Sequence, residues 1–134
     1  MTRTALALRS ERGTSSIEVA LVLPVVLLAL LGAVQLALVS HAQAVISTAA
    51  HEGARVAASE SASPQAGAAR ARQVLASGLG AGSGGYAVSV GTWGDTVVAQ
   101  VSGSYPLLIP WLGRRSAWLH TQAEARKEVF RAGP

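Results

Sequence analysis

From Val19 to Val39 the chain reads VALVLPVVLLALLGAVQLALV, about 21 residues without a charge, which at 1.5 Å per residue just crosses a hydrocarbon core of about 30 Å. Pro24 and Gly32 would weaken this helix in water. In lipid every backbone group must be satisfied within the segment, so helix is the expected state, with a bend at Pro24. Beyond the run the chain stays alanine-rich, and Ala42, Ile46, Ala49, Gly53 and Val56 recur at steps of four and three, the spacing of a helical seam. Thr48, His51 and Arg55 fall on the opposite side. No breaker occurs before Pro64, so the pattern predicts one continuous helix of about 45 residues and about 65 Å from Ile17 to near Glu60, half span and half stalk. Its small residues suit close helix contact, either with the chain's own domain or with another subunit.

Ser63 and Pro64 read as the N-cap and first position of a second helix, running through Arg70 and Val74 until Gly78 to Gly85 stops it. The period then changes to two. Tyr86, Val88 and Val90 alternate, as do Val97, Ala99 and Val101, and Thr92-Trp93-Gly94-Asp95 between them carries turn chemistry, which predicts an antiparallel hairpin. Pro106 and Pro110 bracket a short apolar piece, Leu107 to Ile109. The last segment, Ala117 to Val129, alternates like a strand face at Leu119, Thr121, Ala123 and Ala125, while its Ala, Glu and Arg content also suits a helix. Strand is favoured, because a lone hairpin is marginal and a third strand stabilises it. The expected fold class is therefore α+β: a long N-terminal transmembrane and stalk helix, a short helix and a small antiparallel sheet.

Composition narrows the function classes. At 134 residues, with a span subtracted, roughly 90 residues remain for a soluble part, which excludes a large enzyme core. The absence of cysteine removes disulfides, thiolate metal sites and Cys nucleophiles together. Arg3, Arg9 and Arg12 precede the apolar run against one Glu11, whereas Arg55 is the first Arg or Lys after it, so the N-terminus is expected inside and the following domain outside. Two other readings compete. Ala42-Gln43-Ala44 offers a signal-peptidase site that would release a small domain, although the apolar run exceeds the usual h-region of about 7–15 residues and Glu18 precedes it. A buried helix of a soluble protein would need more apolar surface around it than the rest of the chain supplies.

Candidate chemistry is weak throughout. Gly80-Ala81-Gly82-Ser83-Gly84-Gly85 satisfies G-x-G-x-x-G, but it follows a predicted helix and precedes a predicted strand, the reverse of a dinucleotide fingerprint, and reads as a flexible connector. His51-Glu52 begins an H-E-x-x-H zinc motif that Arg55 breaks, and neither His41 nor His120 restores the spacing. The acidic residues form no obvious catalytic pair, and the basic ones are scattered rather than gathered into a nucleic-acid patch. The expectation is a partner-binding protein that is not an enzyme, with no metal, cofactor, small-molecule substrate or nucleic acid.

The junction Glu11-Arg12-Gly13-Thr14-Ser15-Ser16-Ile17-Glu18 is the most informative stretch. It resembles a prepilin processing site, in which a membrane peptidase cuts after the glycine and leaves a glutamate as the fifth mature residue. With Ile17-Glu18-Val19-Ala20-Leu21-Val22-Leu23-Pro24 and Ala49-Ala50-His51-Glu52-Gly53-Ala54-Arg55 the chain is similar to the TadE-like proteins of tight-adherence (Flp-type) pilus systems. The resemblance is strong to about residue 58 and looser over Tyr105-Pro106, Pro110 to Gly113 and Ala125-Arg126-Lys127-Glu128. It implies a pilin-like fold and a minor pilin or pseudopilin, a structural part of the cytoplasmic membrane or of the pilus. Its partners would be the membrane, a prepilin peptidase, other pilins and the pilus platform proteins. It also implies a basic cytoplasmic leader over 1–13, processing between Gly13 and Thr14, an assembly role for Glu18, a transmembrane and stalk helix over 14–60, and a small extracytoplasmic domain over 61–134. Beside this stands a local reading: Ser15-Ser16-Ile17-Glu18 is an S-x-x-E capping box, and a carboxylate in a first turn is favoured by the helix dipole in any protein. A permanently anchored surface-binding protein that is never cut has the same topology.

Overall fold

The computed structural model describes residues 4–109 and 113–127, with side-chain surroundings from Ser16 onward. Pro110, in the expected turn to Gly113, and Glu128 and Val129, at the end of the last segment, lie outside the described residues. The elements in order are α1 (Thr4–Ala58), α2 (Pro64–Leu79), a 3₁₀ segment (Gly80–Gly85), β1 (Tyr86–Trp93), β2 (Thr96–Ile109) and β3 (Gly113–Arg126). This is the expected α+β order of long helix, short helix and three-stranded antiparallel sheet, with strand order β1-β2-β3. The chain divides into two units, Met1–Ala37 and Leu38–Pro134.

α1 begins at Thr4 rather than at Ile17. Ala5-Leu6-Ala7-Leu8-Arg9 are strong helix formers, and the single Gly13 costs only about 1 kcal/mol in a helix interior, so nothing stops the helix from extending N-terminally. In the first unit the large apolar side chains are turned outward: Ile17, Leu21, Val25, Leu30 and Leu36 are all more than half exposed. Within Ser16–Ala58 lies an uncovered segment long and apolar enough to cross a membrane.

In the second unit the exposure inverts. Ala42, Ile46, Ala49, Ala50 and Ala54 of α1 are fully buried, packed with Ala71 and Leu75 of α2 and with Ala99, Val101, Leu119 and Ala123 of the sheet. The seam therefore covers its own domain, the first of the two partners left open by the spacing, and Thr48, His51 and Arg55 lie exposed on the other side. Ala57 and Ala58 meet Val97 further along. α2 starts as expected, Ser63 Oγ accepting from the Ala66 N–H with Pro64 in the first turn, and ends where Gly80 takes φ 55°. Gly80–Gly85 then winds into 3₁₀ turns.

β1 and β2 pair from Trp93↔Thr96 to Tyr86↔Gly103 around a two-residue turn with Gly94 at φ 58°, the first central position where type II′ hairpins take glycine. The last segment is a strand, β3, paired with β2 from Thr96↔Arg126 to Ile109↔Gly113. Pro106 and Leu107 to Ile109, expected as a separate piece, continue β2. Pro106 is tolerated because β1 begins at Tyr86, opposite Gly103, so beyond that pair β2 has a neighbour on one side only among the described residues. The Lys127 N–H donates to the Asp95 carbonyl at 2.7 Å and ties the end of β3 to the hairpin turn.

A Cβ added at Gly67 would fall on the Gly53 carbonyl oxygen and lie 2.6 Å from the Ala57 Cβ, whereas one at Gly82 would meet nothing. Gly67→Ala should destabilise the protein by about 1–3 kcal/mol through this overpacking, and Gly82→Ala should be neutral to slightly stabilising. Thermal unfolding of the full-length protein in detergent checks both.

Candidate functional site

Three places carry polar or ionisable groups in settings that invite function. The first is the junction before the apolar run. Gly13 and Thr14 lie within α1, and Glu18 lies further along the same helix with its side chain exposed among Val19, Val22, Leu23 and Val26. Because α1 passes straight through Ser15-Ser16-Ile17-Glu18, those residues are no helix terminus, and the capping box has no free first-turn amides to satisfy in this chain. A carboxylate thus sits inside α1, just before the charge-free run Val19 to Val39, without the local structural duty its sequence suggested.

The second is a charge cluster within the Leu38–Pro134 unit. Glu52 Oε2 accepts from Arg55 at 3.1 Å, three residues on, and from both Nε and Nη2 of Arg70 at 3.4 Å, so one carboxylate links α1 to α2. Arg70 also donates to Gln73 Oε1 at 3.1 Å. Hydrogen bonding to Arg55, then the charges of Arg55 and Arg70, hold the Glu52 carboxyl below its ordinary range against the opposing effect of desolvation. His51 is exposed beside it, and no cluster of His, Cys, Asp or Glu among the described residues could hold a metal ion. The sequence marked Glu52 as a fragment of a broken zinc motif and as part of the Ala49 to Arg55 stretch, with no partner for its charge across the helices. Its partner Arg70 is 18 residues away, a pairing that no local pattern could reveal.

The third is a cavity of about 280 Å³ lined by His41, Gly78, Leu79, Tyr86, Tyr105 and Pro106, among others. His41 Nε2 lies 3.3 Å from the Gly78 carbonyl oxygen, to which its N–H donates in the matching tautomer. The Tyr86 hydroxyl is buried without a hydrogen-bond partner, and burial, with Tyr105 nearby, pushes its phenol up. Gly80–Gly85 sits between α2 and β1, opposite in order to a dinucleotide-binding turn.

The folded-state acidity of Glu52 exceeds that of the unfolded chain, so its stabilising contribution is complete above the ordinary value of 4.5 and is lost as pH falls through the lowered folded value. Melting temperature should therefore fall between pH 5 and pH 3 by more in the wild-type protein than in Glu52→Gln, as a thermal scan at the two pH values would record.

The matched region runs through the first two of these places. Residues 13–55 match the family model described as TadE-like protein, from the glycine of the junction to Arg55 of the charge cluster. No curated protein and no solved structure matches the chain. Over residues 13–55, the apolar run and the first part of the seam, this chain is similar to the TadE-like proteins.

Proposed function

We propose that the chain is a minor pilin or pseudopilin of a tight-adherence (Flp-type) pilus, a structural and non-catalytic part. In this reading the apolar part of α1 holds it in the bacterial cytoplasmic membrane, with the basic N-terminus inside and the Leu38–Pro134 unit outside, until it joins a pilus or assembly complex. The observation that carries the reading is Glu18, exposed at the head of an uncovered apolar helix, five residues past a glycine at which the TadE-like match begins.

The chemistry of that arrangement favours processing. A carboxylate in a bilayer costs about 2.5–3.5 kcal/mol at mid-depth and less near the interface, so Glu18 is tolerable in a resting subunit and gains from any cation that meets it. Cleavage by a prepilin peptidase between Gly13 and Thr14 would create such a cation, the Thr14 ammonium. It would also return Glu18 to a first turn, where the helix dipole favours it. Pairing Glu18 with the Thr14 ammonium of a neighbouring pilin would set subunit register. Release after Ala44 fits less well: Ala42 is buried in the core of the domain that would be released, and the cut would pass through α1.

In a strain carrying the peptidase, N-terminal sequencing of the membrane-bound protein should find Thr14 first. An intact Met1 or Thr2 would point to the uncut anchor, and Val45 to the secreted domain. Gly13→Ala should accumulate as full-length precursor, whereas Glu18→Ala should be cut and inserted but fail to assemble with its pilin partners. Protease added to intact spheroplasts should degrade the region after His41 and spare Arg3, Arg9 and Arg12, as the charge bias requires; a protected C-terminal domain would contradict the topology.

A further inference from the structure

Along the sheet, β2 and β3 continue past the end of β1. The last β1 pair is Tyr86↔Gly103, while β2 and β3 remain paired to Ile109↔Gly113. The extra six residues make a two-stranded arm of about 20 Å. Its direction is fixed within the Leu38–Pro134 unit. At one end Ala57 and Ala58 of α1 pack on Val97, and at the other His41 shares a cavity with Tyr105 and Pro106. Hence β2 runs opposite to the Leu38–Ala58 part of α1, and from Pro106 it continues past His41 at the Leu38 end of this unit, the end that the apolar run precedes in the chain.

The arm's surface is unlike that of the sheet it extends. Pro106-Leu107-Leu108-Ile109 is apolar at every position, a pattern proper to a strand buried on both faces, yet Leu108 is 65% exposed. Trp118, opposite Ser104 at the base of the arm, is 72% exposed. Arg114 and Arg115 are exposed across from Leu108 and Leu107, and with Ser104, Pro106 and Ser116 they line one concavity. No acidic residue occurs from Ser104 to His120. Apolar side chains, a tryptophan and paired arginines with two hydroxyls match the layers of an anionic bilayer surface, from acyl boundary to phosphate.

We propose that the β2–β3 arm docks on the outer surface of the membrane that α1 spans, Leu108 entering the interface and Arg114 and Arg115 engaging the phosphates of anionic phospholipids. This rests on the membrane-anchored reading of α1. The arm would be a second point of attachment, holding the domain against the bilayer in the resting subunit and letting go when the subunit leaves it.

The test uses the full-length protein, which contains no cysteine, reconstituted into phosphatidylcholine vesicles with and without phosphatidylglycerol. A polarity-sensitive fluorophore is placed at Leu108→Cys and, for comparison, at Ser89→Cys, an exposed site on β1 that is off the arm. With a headgroup-level lipid quencher, the Leu108 site should be quenched in the anionic vesicles and the Ser89 site should not. Arg114→Gln with Arg115→Gln should lower the docked-to-free ratio about 30-fold. Equal quenching at the two sites, or quenching indifferent to the arginines, would overturn the proposal. So would a response to inorganic phosphate in detergent alone, which marks a small-anion site, or one that requires an added pilin, which marks a protein contact. Carbonate extraction separates the two readings. A chain that resists extraction with Leu108 unquenched loses the docking alone, and one that is extracted loses the anchor as well.

Discussion

The close crossing of α1 and α2 at Gly53 and Gly67 is the constraint on which the Leu38–Pro134 unit depends. A Cβ on Gly53 would lie 3.1 Å from both the Ala71 Cβ and the Gly67 carbonyl oxygen, so the backbones themselves set the separation. Around this point the helices offer only alanine and glycine, and the sheet must come equally near to seal the core with Ala99, Val101 and Ala123. Few large side chains are fully buried; Ile46, Leu75, Val97 and Val101 are the largest. Stability of this kind comes from many near contacts over small residues, and it responds sharply to added volume.

The same seam divides α1 into two solvents. Up to Ala37 the helix shows leucine and valine on its outside, and from Ala42 it turns alanine inward and keeps Thr48, His51 and Arg55 outward. One element is thus apolar and uncovered in its first part and buried against its own domain in its second. Glu52 belongs to the second part, where Arg70 gives it a partner, and Glu18 to the first, where the helix itself gives it no duty as a cap.

Much of this was legible in the residues. The seam, the Ser63-Pro64 helix start and the Gly94-Asp95 hairpin are local patterns whose physics operates within a few positions, and each appears in the structure. What the sequence hid was set by distance or by neighbours. Pro106 reads as a breaker until the shortness of β1 is known, since only then is its missing N–H not needed. The glycines at 80–85 read as slack until α2 and β1 hold their two ends. α1 starts at Thr4, ahead of the Ile17 that the apolar pattern indicates, because the residues before the run are themselves helix formers. Of the candidate site, Gly13, Thr14 and Glu18 were visible in the sequence, whereas the Glu52–Arg70 link and the cavity at His41 required the tertiary fold.

Strand order β1-β2-β3 leaves β3 with a neighbour on one side only among the described residues, over fourteen positions. Wherever copies meet at high local concentration, such an edge is an invitation to runaway cross-strand association. β3 carries Arg114, Arg115, His120, Glu124 and Arg126 along its length, and β1 is short. Charge on the long edge and brevity on the other keep copies of the chain from zipping together through their sheets.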